Sequence, residues 1–186
     1  MKKFFYMSVL VLMAALTLAS CGGDEPSGPS GPSEPGSPSG PSEPTSKSVL
    51  YEATAYFSQD VLDLCDLTMS YKDSDGKTIT ETVTSTTWTK KVTVKSLPST
   101  VGVKFGIKMK SGVELTKEKY DVMITLVNDV IVNGTSKGNT TPKIVSQSKG
   151  VRAAKIIDLL SKKDGMMFGY DISASGAAVA TTNVGL

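Results

Sequence analysis

From residue 48 onward, apolar and polar side chains take turns. Val101, Val103, Phe105, Ile107 and Met109 alternate with Gly102, Lys104, Gly106, Lys108 and Lys110. A strand points successive side chains to opposite faces, so this run predicts one buried and one wet face, hence an antiparallel sheet. Tyr51, Ala53, Ala55 and Phe57 repeat the period, as do Cys65, Leu67, Met69 and Tyr71. So do Val92 and Val94, then Tyr120, Val122, Ile124 and Leu126, then Met166, Phe168, Tyr170, Ile172 and Ala174. Threonine is dense from Thr78 to Thr93, which suits strands. One segment has a helical period instead. Ala153, Ile156, Ile157 and Leu160 fall at i, i+3, i+4 and i+7, ahead of Lys162, Lys163 and Asp164-Gly165. That spacing predicts a short helix over 151–162, bridging two strands across one end of the fold.

Turn chemistry separates these runs. Asp73-Ser74-Asp75-Gly76-Lys77 lies between two strands, with Gly76 free to take positive φ. Leu97-Pro98-Ser99 and Lys110-Ser111-Gly112 break the chain again, and Asn133-Gly134 with Lys137-Gly138-Asn139 marks a longer polar loop. Seven to nine short strands with frequent turns predict an all-β protein, an antiparallel β-sandwich with one short helix.

The first 47 residues follow other rules. Lys2 and Lys3 precede an apolar stretch from Phe4 to Leu18, and small residues then lead to Cys21. This reads as a signal peptide over 1–20, too short to be a stable membrane-spanning helix. The segment Leu18-Ala19-Ser20-Cys21 resembles the lipobox of bacterial lipoproteins. The resemblance implies cleavage before Cys21, a thioether-linked lipid on its sulfur and acylation of the new N-terminus. Several acyl chains bury enough CH₂ groups to hold a protein at a membrane. Gly22-Gly23-Asp24-Glu25 resembles the export signal of Bacteroidota-type surface lipoproteins, and equally suits two solvated acids opening a linker. Residues 26–47 contain Pro, Ser, Gly, Glu, Thr and Lys alone. With no apolar side chain to drive collapse, 21–47 is expected to be a disordered stalk carrying the lipidated cysteine, and 48–186 the folded domain.

Composition narrows the chemistry. The chain has 20 Lys and Arg against 18 Asp and Glu. Lys2 and Lys3 supply the excess, so the part after residue 20 is balanced, and no nucleic-acid partner is expected. Histidine is absent, which removes His-based triads, the 2-His-1-carboxylate iron site and most zinc sites. Carboxylate-only chemistry stays open. With Cys21 carrying lipid, Cys65 has no partner for an internal disulfide.

The run from Tyr71 to Lys110, YKDSDGKTITETVTSTTWTKKVTVKSLPSTVGVKFGIKMK, resembles a family of small Bacteroidota-type lipoproteins. The resemblance extends over residues 48–175. It implies an immunoglobulin-like sandwich at the outer membrane, with surface exposure open, and brings no assigned activity and no catalytic motif.

Each candidate site has a plain structural counterpart. Lys104, Lys108 and Lys110 share one strand face, with Lys90, Lys91 and Lys95 nearby in sequence. They form a candidate stripe for polyanions such as acidic glycans, or simply a soluble face. Asp73-Ser74-Asp75-Gly76 suggests a calcium loop, but counting from Gly76 puts Tyr71 and Thr82 where the acidic ligands belong, so a hairpin turn is expected. Trp88 reads as core rather than a sugar platform, and Cys65 as a buried hydrophobe rather than a nucleophile. Asn133 and Asn139 begin glycosylation-like triplets that mean little beside a lipobox. No metal or other cofactor is expected. The leading expectation is a membrane-anchored, non-enzymatic module that binds a surface protein or glycan. The alternative is a structural or anchoring subunit of a pilus or envelope assembly, acting by strand addition through Ala174–Val184.

Overall fold

The computed structural model describes residues 47–138 and 140–186. The proposed leader, Cys21 and most of the linker lie outside the described residues, as does Asn139. The chain divides into two units, Met1–Glu43 and Pro44–Leu186, and the second holds every described residue.

That unit is two antiparallel sheets stacked face to face. The first contains β1 (Val49–Phe57), β4 (Thr87–Val94), β6 (Lys119–Val132), β7 (Thr135–Ser136) and β8 (Lys143–Arg152). Its order is β4-β1-β6, and the far edge of β6 is shared between β7 and β8. The second contains β2 (Cys65–Lys72), β3 (Thr78–Val83), β5 (Ser99–Met109), β9 (Met167–Ile172) and β10 (Ala178–Thr181), in the order β10-β9-β5-β2-β3. The all-β sandwich expected from the alternation is what forms.

Strand parity decides what is inside. On β5, Val101, Val103, Phe105 and Ile107 are buried, while Lys104 is half-buried and Lys108 exposed. Met69 lies opposite Phe105 on β2, and Leu67 opposite Ile107. From the other sheet, Tyr51, Ala53, Ala55 and Phe57 of β1 and Val122, Ile124 and Leu126 of β6 complete the core. The outer face of β5 is not wet along its whole length. Gly102 faces Gly169 across β5 and β9, and Val184 of the C-terminal tail packs over both. Any Cβ at either glycine would overlap Val184 and the opposing backbone, so the bare pair makes a furrow for the tail.

Among the described residues two helices occur rather than the single one expected. α1 (Gln59–Leu64) carries the chain from the first sheet to the second and buries Val61 and Leu64. Ser58 just before it ties α1 to β6, donating to the Asp121 carbonyl at 2.7 Å and accepting from Met123 N. α2 (Ala153–Ser161) is the expected helix, although Val151 and Arg152 still belong to β8. It buries Ile156 and Leu160 and leaves Ile157 exposed. After it, Asp164 to Met166 complete the edge of β5. Gly165 N donates to Phe105 O, Phe105 N to Met166 O, and Ile107 N to the Asp164 carboxylate.

Asn133-Gly134 is a tight two-residue turn rather than part of a loop. Both residues have positive φ, 49° and 76°, which matches the twist of the hairpin joining β6 to β7. Ala174, expected to face inward, falls in the Ser173–Gly176 turn and is exposed. These two turns mark the end of the sandwich where the described chain begins. Ser48 exchanges hydrogen bonds with Asn133, and Lys47 Nζ donates to the Ala174 carbonyl. Both helices cap the opposite end.

Phe105→Ala is expected to cost about 3–5 kcal/mol, because it opens a cavity in a fully buried site. Lys104→Ala is expected to change stability by no more than about 0.5 kcal/mol. Urea unfolding of the two variants measures both, and equal losses would contradict the two-faced strand.

Candidate functional site

The outer face of the second sheet collects hydroxyls and lysines. Even-numbered residues of β2 and β3 point there, among them Thr68, Ser70, Thr80 and Thr82. Ser70 and Thr80 lie opposite each other and share a 2.8 Å hydrogen bond. On β5 the same face presents Lys104 and Lys108. Gly106 separates them, and the Thr68 hydroxyl occupies the space a side chain at 106 would need. The two lysines are four positions apart, so their Cα atoms lie about 13 Å apart along the strand, with Gly106 and its neighbour Thr68 between them. Among the described residues, no carboxylate forms an ion pair with either lysine. Lys108 has Asp66 as its cross-strand neighbour, and Lys104 has Ser70.

The structure splits the wider lysine group. Lys110 lies just past β5, and its Nζ donates to the Leu62 carbonyl at 2.7 Å, stitching the strand end to α1. It does not extend the stripe, because the chain leaves the sheet after Met109. Lys90, Lys91 and Lys95 belong to the other sheet or the turn after it, and each is committed. Lys91 pairs with Glu52 at 2.5 Å, Lys95 with Asp75, and Lys90 with Glu81.

The Lys90 pair anchors a cluster that sequence reading missed. Glu81 sits at an inward position of β3, and Trp88 and Lys90 at inward positions of β4, so the three meet across the open side between the two sheets. The Glu81 carboxylate accepts from Tyr71 OH at 2.7 Å, Trp88 Nε1 at 2.9 Å and Lys90 Nζ at 2.5 Å. Lys90 Nζ also lies 4.5 Å from the Tyr71 ring centroid. The Lys90 ammonium holds the Glu81 carboxyl below its ordinary range against partial desolvation, helped by the Tyr71 and Trp88 donors. This clip closes one side of the sandwich. Trp88 is 8% exposed and its N–H is spent on Glu81, so it offers no ring face to a sugar. The clue in the sequence was charge at inward parity: Glu81 beside Ile79 and Val83, Lys90 beside Trp88 and Val92.

The remaining candidates resolve to structure. Asp73 Oδ1 accepts from the backbone N–H of Asp75 and Lys77, and Gly76 has φ 77°, so the acidic tetrad is a hairpin turn. Cys65 is buried, its Sγ 3.8 Å from Met109 Sδ, and burial pushes its thiol up to about 11. At the helical end, a groove of ≈ 590 Å³ runs between α1 and the Thr84–Thr86 turn, bordered by Leu62, Asp63, Val83 and Lys110. Among the described residues, no helix is long and apolar enough to cross a membrane. No known family model matches the chain, and no curated protein is similar to it.

Glu81→Ala is expected to cost about 1–2 kcal/mol at neutral pH, discounted because the site is partly solvated. A carboxyl held low in the fold stabilises above its unfolded value and loses that contribution as pH falls through its folded value. The gap between wild type and variant in urea midpoint should therefore narrow on acidification through the carboxylate range. A constant gap would contradict the ionised clip.

Proposed function

We propose that the chain is a membrane-anchored lipoprotein, lipidated at Cys21, whose sandwich is a non-enzymatic binding module. The lysine and hydroxyl face of the second sheet is its contact for an acidic glycan or another polyanion of the cell envelope. The observation that carries the binding reading is the shared face. Lys104 and Lys108 stand on the outer side of β5 with Gly106 between them, and among the described residues neither forms an ion pair with a carboxylate. Two cations on one strand face suit a linear polymer with repeating negative charge, and the Ser70, Thr80 and Thr82 hydroxyls on the same face suit its sugar oxygens. The anchoring reading rests on the sequence of the leader, two lysines and then an apolar run, on the small residues before Cys21 and on the polar linker that follows. The outer membrane, with the domain at the cell surface, is the address this reading favours.

Cys21→Ala should leave an uncleaved precursor and abolish lipid labelling of the chain. A mutant that still takes up labelled fatty acid and partitions into the detergent phase like wild type would sink the anchor.

The binding face has its own test. The Lys104→Ala, Lys108→Ala double variant should keep the wild-type melting temperature and lose salt-sensitive retention on an immobilised acidic glycan such as heparin. Unchanged retention would make the stripe a soluble face and no more.

A further inference from the structure

An edge strand offers unpaired backbone donors and acceptors to any strand that approaches it, and stable monomers blunt such edges with charge, irregularity or cover. Three of the four described edges here are blunted. β4 carries Lys90 and Lys91 and is followed by Lys95. β3 carries Glu81 and is clipped to the other sheet. Beyond β6, β8 carries Lys143, Lys149 and Arg152, and its pairing is interrupted twice, between Tyr120 and Val122 and between Ile124 and Thr125.

β10 has none of these guards. Its residues are Ala178, Val179, Ala180 and Thr181, with no charge and no proline. Its register against β9 runs unbroken from Ala178↔Ile172 to Thr181↔Gly169. Among the described residues no strand pairs with its other edge, and Val179 is 67% exposed on the outer face. The sequence Ala178-Val179-Ala180 is also symmetric about its centre. Antiparallel pairing of two copies about a two-fold axis at Val179 puts Val179 opposite Val179 and Ala178 opposite Ala180. The faces match, apolar on apolar, with no like charges opposed. A comparable pairing of β4 about its adjacent lysines would set cation against cation.

We propose that β10 docks antiparallel on β10 of a second copy of this chain, joining the two five-stranded sheets into one ten-stranded sheet across a dimer axis. A four-residue strand buries far less than a standard interface, so the pairing is weak between freely diffusing molecules. Confinement to a membrane through lipidated Cys21, as proposed above, would raise the local concentration and favour it.

The test uses protein lacking residues 1–21, which keeps all of Pro44–Leu186 and is independent of the anchor. Sedimentation velocity from micromolar to millimolar concentration should show a reversible monomer–dimer shift. Val179→Lys should remain monomeric throughout with an unchanged melting temperature. Val179→Cys should form a disulfide dimer on mild oxidation, because opposed residues of an antiparallel pair have Cα atoms about 4.5–5.5 Å apart, within disulfide reach. Thr181→Cys should not, because the same register places the two copies of residue 181 about 13 Å apart. Buried Cys65 does not compete in the folded protein. A wild type that stays monomeric, a dimer that survives Val179→Lys, or equal cross-linking at 179 and 181 would each overturn the proposal.

Discussion

Phe105 lies edge-on to Phe57 of the facing sheet and to Phe168 on the neighbouring strand of its own sheet, with ring centroids 6.2 and 6.1 Å away. Edge-to-face geometry suits the ring quadrupoles, and the ring is fully buried. With Phe105 inward, strand parity sends Lys104 and Lys108 outward and Val103 and Ile107 inward. A slip of one residue would place ammonium groups in the core, where nothing compensates their lost hydration. The lysine face is therefore a consequence of the core. It is the far side of a strand whose near side had no other choice.

That coupling explains why the central strands were legible. Val101–Ile107, Tyr51–Phe57 and Tyr120–Leu126 alternate because each packs one face on the opposing sheet, so burial is written at period two. α2 was legible because Ile156 and Leu160 repeat at helical spacing against the end of the core. α1 was not, because six residues with Val61 and Leu64 buried hold too few repeats to distinguish helix from turn. Val184 was missed for another reason. Its site is the furrow left by Gly102 and Gly169, which lie on strands 67 residues apart and meet only through sheet pairing.

The candidate site divides along the same line. Which lysines share a face is a local property of one strand, and Lys104 and Lys108 were readable as a pair. Whether a lysine is free depends on residues that folding brings from elsewhere. Glu81 comes to Lys90 across the gap between sheets, Glu52 to Lys91 from the adjacent strand, and the Leu62 carbonyl to Lys110 from α1. The alternation of β5 says nothing of these partners. Lys110 therefore looked equivalent to Lys108 in sequence and is different in structure.

The two open sides of the sandwich are closed by different means. Between β3 and β4 an ionised clip sets one carboxylate against three donors, so separating the sheets there would expose charges already matched to each other. On the side of β8 and β9, Lys143 lies over the rings of Tyr170 and Phe168 at 5.1 and 5.9 Å, and burial lowers its ammonium below the ordinary range. A cation held on aromatic faces keeps its stem in apolar contact and closes the gap without a carboxylate. Both closures place charge where a foreign strand would otherwise meet bare backbone. β10 lies beyond them at the end of the second sheet, with Val179 as its exposed apolar side chain and no charge of its own. Strand pairing depends on that local difference, because every edge carries backbone donors and acceptors, and charge, irregularity or cover decides whether another strand can use them.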